Sequence, residues 1–213
     1  MKYIATNDKE QKIIDFFLES YNETNYISKF LYKNFFKSIE NIIFQCKHID
    51  KTLEVGCGLG ESSLRLNEML IDSHFEVSEY DKNYVSILKN SDFKLKITNE
   101  TVYDLQHSDN SFDLVIMLEV LEHLEDYQKA IGELCRVSSK YVLISVPNEP
   151  LWRTLNFLRG KYIGNFGNTP GHINHFNVKS LKKILRRYGT VKSISKPLPW
   201  IVICIEVNDE NIK

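Results

Sequence analysis

The chain has 213 residues, and at roughly 150 residues per domain this length favours one enlarged domain over two. Hydrophobic residues make up 43% and charged residues 26%, an ordinary globular composition that excludes fibrous and disordered proteins. Lysine and arginine number 27 against 28 aspartates and glutamates, which gives a net charge of −1. Because the chain has no net positive charge, a nucleic-acid substrate is disfavoured unless a local patch of basic residues supplies the contact.

No part of the sequence is typical of secretion or of membrane insertion. The segment MKYIATNDKEQK has no apolar run behind Lys2, and the late apolar run at 201–207 is far too short to cross a bilayer. The cysteines are scattered without a C-x-x-C spacing, which suits reduced thiols better than disulfides or a zinc site; they are Cys46, Cys57, Cys135 and Cys204. We therefore expect a soluble, cytoplasmic protein.

The first predicted elements are helical. Apolar and aromatic residues in 8–45 recur three or four positions apart, which predicts two or three amphipathic helices. From residue 52, short apolar runs alternate with helical stretches, and the runs include TLEVG, FEVSEYD, FDLVIML and YVLISVP. This rhythm predicts a parallel sheet with helices on both faces.

The segment 148–176 carries four glycines and Pro170, and it predicts an irregular lid or binding loop. A helix is expected over 178–188, with Gly189 as its C-cap, and TVKSISK and IVICIEV then read as two final strands. The candidate substrate contacts in this lid are Trp152, Arg153 and Arg159. The indole of a tryptophan can stack on a substrate ring, and the guanidinium of an arginine can bind a carboxylate or phosphate. Alternatively, these side chains serve only to pack the lid.

Three glycines lie between a predicted strand and a predicted helix in LEVGCGLG, residues 53–60. Glycine permits a tight turn and the close approach of a ligand. Asp81 follows Gly60 by 21 residues, at the end of the next predicted strand, where a carboxylate can accept both hydroxyl protons of a ribose or can simply serve a turn. Glu54 and Glu61 flank the loop, so a cationic ligand fits better than a pyrophosphate.

These motifs resemble those of the class I S-adenosylmethionine-dependent methyltransferases. LEVGCGLGESS resembles their first motif, YDKNYVSIL their ribose-binding motif, and LQHSDNSFDLVIMLEVLEHLED a third block, so that the resemblance covers about residues 50–207. It implies a Rossmann-like α/β fold whose seven-stranded, mostly parallel sheet ends in an antiparallel hairpin and carries helices on both faces.

The same resemblance implies S-adenosylmethionine as the cofactor. An acid after the third strand often contacts adenine in this family; here Thr101 occupies the usual place, and Asp104 is the substitute. The implied cofactor-binding residues are Glu54, Gly56, Cys57, Gly58, Gly60, Asp81, Asp104 and Leu118. We expect a single domain with cap helices at 1–48, a cofactor-binding core at 49–147, the lid at 148–176, and a C-terminal helix and hairpin at 177–213.

A possible metal site follows FDLVIML, where Glu119, Glu122 and His123 stand at offsets 0, 3 and 4 and share one face if a helix starts there. Two carboxylates and an imidazole suit Mg²⁺, Mn²⁺, Fe²⁺ or Co²⁺. The E-x-x-E-H pattern resembles that of two metal-using branches, the ubiquinone-pathway O-methyltransferases and the small-RNA 3′-terminal 2′-O-methyltransferases. A lid histidine, His172 or His175, can complete four ligands, and the resemblance to the small-RNA branch favours His172. Alternatively the glutamates cap a helix, and His123, His172 or His175 is the general base.

The expected activity is transfer of the methyl group of S-adenosylmethionine to a hydroxyl of a small-molecule acceptor, with or without metal assistance. N-methylation of a small amine is the first alternative. Methylation of RNA 3′ ends at the 2′ hydroxyl is a second, and it would be sensitive to salt. A cofactor-binding subunit without catalytic activity is a third.

Overall fold

The computed structural model describes residues 1–22, 26–158, 164, 166 and 168–208. One seven-stranded sheet runs through these residues, with the strand order β3-β2-β1-β4-β5-β7-β6. Its strands are β1 Lys51–Val55, β2 His74–Glu79, β3 Lys96–Asn99, β4 Phe112–Leu118, β5 Ser138–Pro147, β6 Gly189–Ser195 and β7 Trp200–Val207.

The first five strands are parallel to one another, whereas β7 pairs antiparallel with both β5 and β6. Strand β1 lies between β2 and β4, so the order along the sheet reverses between β1 and β4. The predicted mostly parallel sheet with an antiparallel C-terminal hairpin is thereby confirmed.

Helices lie between most of the parallel strands that follow one another in the chain, as crossover connections require. Those within the described residues are α1 Asp8–Asn22, α2 Tyr26–Ile43, α3 Glu61–Met69, α4 Lys82–Asn90, α5 Tyr127–Val137, α6 Glu149–Leu158 and α7 Val178–Leu185, with a 3₁₀ turn at Leu121–His123. None of these helices combines the length and the apolar composition that crossing a bilayer needs.

The two faces of the sheet carry separate apolar cores, because successive side chains of a strand point to opposite faces. Along β4, Val115 and Met117 pack into the core that α5 and α7 complete. Leu114 and Ile116 pack into the other core, together with α2 and α3. The layers therefore place helices on both sides of the site-bearing strands.

Helix α6 corrects the prediction of an irregular segment over 148–176. Leu151 and Leu155 are one turn apart, and Glu149 stands in the first turn, where a carboxylate stabilises a helix. The four glycines that indicated a loop all lie at or after Gly160, beyond the end of this helix. The loop prediction was therefore wrong for the part of the segment that forms α6.

Gly189 is the first residue of β6, and it does not cap the preceding helix, which ends at Leu185. A Cβ at this position would lie 2.3 Å from the carbonyl oxygen of Glu206. The glycine is therefore required by the close approach of two backbones in the hairpin, and the predicted C-cap role was wrong.

We predict that Gly189→Ala lowers the free energy of unfolding by about 1–3 kcal/mol, because the new methyl group overlaps backbone that cannot move aside. Urea denaturation measures this change. Gly132→Ala is the matched control: its Cβ would meet only a ring carbon of Tyr188 at 4.0 Å, and alanine inside α5 should stabilise by about 0.5–1 kcal/mol. Equal stability of the two variants would contradict the argument.

Candidate active site

The carboxyl ends of β1, β2 and β4 surround a cavity of about 540 Å³. In open α/β sheets, ligands bind at this edge, where the strand order reverses. The cavity is lined by Val55, Gly56, Gly58, Glu79, Tyr80, Glu100, Thr101, Val102, Tyr103, Glu119, Val120, His123, Leu124 and Glu125.

The glycine loop forms one wall of this cavity. Gly56 has φ +80°, and a Cβ there would lie 2.6 Å from Cγ2 of Val120, so the loop packs directly against the segment that follows β4. The backbone N–H groups of Gly56 and Cys57 donate to the carbonyl of Ser78. Burial, with the charges of Glu54 and Glu79, raises the pKa of the Cys57 thiol, which makes a thiolate nucleophile unfavourable.

Glu54 lies behind the loop, buried at 1% exposure. Its carboxylate accepts hydrogen bonds from the hydroxyls of Ser62 and Ser63, in the first turn of α3. Burial raises the pKa of Glu54, and the two serine hydroxyls oppose that shift. Glu54 therefore fixes the start of α3, and Gly60, with φ +78°, is the N-cap residue of the same helix.

The acid at the end of β2 that lines the cavity is Glu79, whereas the sequence predicted Asp81. Glu79 accepts hydrogen bonds from the backbone N–H of Gly58 at 2.8 Å and of Asp81 at 2.9 Å. Asp81 is the N-cap of α4, where its carboxylate accepts from the N–H of Asn83. An aspartate directly before the helical pattern of KNYVSIL is a capping signal, and it would have placed the end of the strand at Glu79.

Two further predicted cofactor contacts lie away from the cavity. Asp104 is exposed, and its N–H donates to the carbonyl of Thr101; the segment that lines the cavity after β3 is Glu100–Tyr103 instead. Leu118 is buried in the core on the α2 side, and its neighbour Glu119 lines the cavity.

Three of the four predicted metal ligands come together. Glu122, His123 and His172 each offer a ligand atom, and these atoms lie within 4.8 Å of one another. Glu122 is buried at 1% exposure and His172 at 8%, while His123 also lines the cavity. Burial raises the pKa of Glu122 to about 7. The cluster therefore borders the larger cavity through His123.

Glu119 is not part of this group of three. It has φ +57° and precedes a 3₁₀ turn, so the shared helical face expected for Glu119, Glu122 and His123 does not form. Its carboxylate accepts a hydrogen bond of 2.7 Å from the hydroxyl of Ser145. Burial, and then the charge of Glu122, raise the pKa of Glu119 well above its usual range.

Both histidines of the cluster are held through Nδ1. Nδ1 of His123 lies 2.9 Å from the carbonyl oxygen of Gly171, and Nδ1 of His172 lies 2.7 Å from Oε1 of Glu149. The rings approach edge to face with centroids 4.9 Å apart. Burial lowers the pKa of His123, while the Gly171 carbonyl opposes the shift.

Glu149 was missed by the sequence analysis, although it stands two residues after the end of β5, much as Glu119 stands directly after the end of β4. It is buried at 2% exposure. Among the described residues, Oε2 of Glu149 and Oε2 of Glu122 have no hydrogen-bond partner. An acid at the carboxyl end of a central parallel strand was the signal that could have identified it.

The remaining predicted residues lie at varied distances from the cluster. The Trp152 ring stacks near that of His172, with centroids 6.4 Å apart, and its Nε1–H donates to Thr169. Nε of Arg153 donates to the carbonyl of Phe166 at 3.4 Å. His175 is exposed, with Nε2 3.0 Å from Oδ1 of Asn168. Arg159 lies outside the described residues.

Residues 18–191 match the family model described as a methyltransferase domain. The chain belongs to this methyltransferase family. The expectation of a methyltransferase enzyme is thereby confirmed, and the cavity at the switch point is the place where its fold holds ligands. No curated protein matches the chain by sequence.

Solved structures share the fold of this methyltransferase. Magnesium protoporphyrin IX methyltransferase from Synechocystis PCC 6803, with bound SAH, is similar with a TM-score of 0.66, at 16% identity over 87% of this chain and 89% of that chain. A Thermotoga maritima SAM-dependent methyltransferase, described as a possible histamine N-methyltransferase, has a TM-score of 0.63 and 15% identity, over 92% of this chain and 99% of that chain. A SAM-dependent methyltransferase from Aquifex aeolicus has a TM-score of 0.61 and 14% identity, over 79% of this chain and 89% of that chain.

The positions of Glu79 and Asp81 generate a direct prediction. Replacing Glu79 by Gln should weaken binding of S-adenosylhomocysteine roughly tenfold to a hundredfold, because hydrogen bonds to a charged carboxylate contribute about 1.5–3 kcal/mol. Isothermal titration calorimetry measures the affinity. Asp81→Asn is the control, because asparagine is an equally good N-cap, and its affinity should stay within about twofold of the parent. If Asp81→Asn weakened binding more than Glu79→Gln, Asp81 would be the residue that binds the ribose.

Proposed function

We propose that this methyltransferase moves the methyl group of S-adenosylmethionine to a hydroxyl of a small-molecule acceptor, and that a divalent cation held by Glu122, His123 and His172 assists. The observation that carries the proposal is that His123 belongs to this cluster and also lines the cavity beside the glycine loop. Methyl donor and acceptor would meet at that junction.

The residues around the cavity suit an adenosyl sulfonium ligand. Glu79 would accept the ribose hydroxyl protons, in place of Asp81. Gly56 and Gly58 allow the backbone to approach the ligand closely, and Thr101 and Val102 lie where adenine would follow the ribose. In this assignment Glu54, Cys57 and Gly60 support the shape of the loop.

The donor set of the cluster suits a divalent cation. Glu122 has a buried oxygen without a partner among the described residues, and leaving such an atom unpaired is costly. Two imidazoles and one carboxylate suit Mn²⁺, Fe²⁺ or Co²⁺ better than Mg²⁺, which prefers oxygen ligands. Such a cation, when bound, lowers the pKa of a hydroxyl that it contacts and fixes its position.

The enclosure of the cluster favours a small acceptor group. Glu122 and His172 are nearly inaccessible to solvent, and the backbone N–H groups of Ile173 and Asn174 donate to the carbonyl of Glu122, which holds the lid segment against the turn. The ring of Trp152 adds an apolar wall beside His172. A compact hydroxyl-bearing group fits such a pocket, and its hydroxyl would be oriented by the charged cluster.

If no cation binds, His123 is the candidate general base for the same reaction. Nδ1 of His123 must donate to the carbonyl of Gly171, because a carbonyl only accepts. Nε2 of the neutral ring then carries a lone pair, and the lowered pKa of His123 keeps the ring neutral near pH 7. His123 is therefore positioned to remove the hydroxyl proton if no cation is bound.

We predict that Glu122→Gln abolishes Mn²⁺ binding and lowers methyl transfer by about a hundredfold or more, because a ligand and its charge are lost. The affinity for S-adenosylhomocysteine should stay within about twofold of the parent. Calorimetry with Mn²⁺ and with S-adenosylhomocysteine gives both affinities. Radiolabelled methyl transfer to a panel of phenols, catechols and vicinal diols gives the activity.

Glu76→Gln is the control, because Glu76 is a buried carboxylate with its own histidine neighbour, His74, outside the site. Its variant should match the parent in all three measurements. Metal assistance would be refuted if Glu122→Gln turned over at the rate of the parent, or if the parent remained active after thorough chelation of metal ions. Binding of S-adenosylhomocysteine without transfer to any acceptor would instead favour a non-catalytic subunit.

A further inference from the structure

Glu149 is a buried carboxylate at the first turn of α6 that no sequence motif assigned. Its backbone N–H donates to the carbonyl of Phe176 at 3.1 Å, and its Oε1 lies 2.7 Å from Nδ1 of His172. Both side chains are nearly closed to solvent, at 3% and 6% exposure. The contact joins the first turn of α6 to the far end of the lid, 23 residues later in the sequence.

The contact determines which nitrogen of His172 carries the proton. An ionised carboxylate can only accept, so the hydrogen lies on Nδ1 and Nε2 of the neutral ring keeps its lone pair. Histidines that bind metals are usually held in this manner, with the second nitrogen donating to a carboxylate or a carbonyl.

His123, the second histidine of the cluster, is also hydrogen-bonded through Nδ1. Nδ1 of His123 donates to the carbonyl of Gly171, so Nε2 is its free nitrogen, 3.9 Å from Oε1 of Glu122. The two rings thus have the same nitrogen available, and the ligand atoms of the cluster lie within 4.8 Å of one another. One buried and one exposed histidine, with a common tautomer beside a buried carboxylate, are arranged as ligands.

We propose that Glu149 is a positioning residue, which holds His172 with the Nε2 lone pair available to the cation site formed with Glu122 and His123. This inference rests on the proposed function. Glu149 itself is not one of the three grouped ligand residues, so it acts through His172. Its Oε2 and that of Glu122 have no hydrogen-bond partner among the described residues, and a cation would relieve the repulsion between the two carboxylates.

The first test is the tautomer of His172 in the full chain, read without any metal from the side-chain nitrogen and proton correlations of a histidine-labelled sample by NMR. We expect Nδ1–H in the parent. Glu149→Ala should lose this tautomer preference, whereas Glu149→Gln should retain it, because its amide oxygen still accepts the bond. Glu76→Gln, the matched carboxylate beside His74, should leave the His172 signals unchanged.

The second test is calorimetric titration of Mn²⁺ in the presence of S-adenosylhomocysteine. Glu149→Ala should weaken Mn²⁺ binding about tenfold to a hundredfold, the usual effect of losing a residue that orients a ligand. Glu149→Gln should lose less. In the His172→Ala background, Glu149→Ala should have no further effect, because the pathway through His172 is already removed.

The proposal is overturned if His172 carries its proton on Nε2 in the parent, or if Glu149→Ala weakens Mn²⁺ binding equally with and without His172. Should Glu149→Ala fail to fold, the tautomer of the parent and the Glu149→Gln titration decide the question. A parent with the Nδ1–H tautomer that binds no Mn²⁺, Fe²⁺ or Co²⁺ refutes metal assistance in the proposed function, and it upholds the positioning of His172 by Glu149.

Discussion

The reversal of strand order between β1 and β4 is the constraint on which the site depends. Strands β2 and β3 continue to one side of β1, whereas β5 continues to the other side of β4. Connections after β1 and β4 therefore diverge and leave a crevice at their carboxyl ends. The glycine loop, Glu79, Glu119 and Glu149 each lie at or just after the carboxyl end of a different parallel strand, so a single topological feature gathers residues that are far apart in sequence.

Bringing these acidic residues together at one edge of the sheet buries charged groups, which costs free energy. Glu122 and Glu149 are almost closed to solvent, and burial raises the pKa of Glu122 to about 7. Like charges in such surroundings destabilise a fold unless they are protonated, hydrogen-bonded or balanced by a cation. The lid contributes His172 to this balance, and Asn174 fixes the lid by donating to the carbonyl of Leu124 at 2.6 Å. Stability and site geometry are therefore coupled in the same few residues.

The fold could be predicted from the sequence because its central strands, β1, β4 and β5, are buried on both faces. Such strands appear as short apolar runs, and the helices between them have a different period. The helix α6 was missed because the glycines from 160 onward dominated the interpretation of the whole segment. Gly189 was interpreted as a C-cap because the backbone of Glu206, which it must avoid, comes from a strand later in the chain.

The site was less predictable, for physical reasons that differ from residue to residue. Asp81 and Glu79 are two positions apart, and a shift of two in the end of a strand decides which carboxylate caps a helix and which lines the cavity. Glu149 meets His172 only after the lid has folded back, so no local pattern predicts their contact. The roles given to the predicted metal and substrate residues stay predictions, as does the division into cap, core and lid.

A crystal structure with Mn²⁺ and S-adenosylhomocysteine would show whether a cation binds beside the cofactor cavity, where it could assist methyl transfer. We expect an anomalous peak bound by Glu122, by Nε2 of His123 and by Nε2 of His172, at distances of about 2.0–2.3 Å. We also expect the ribose to contact Glu79. Bound S-adenosylhomocysteine with no Mn²⁺ peak at these residues, or with a peak elsewhere, would refute metal assistance at this cluster.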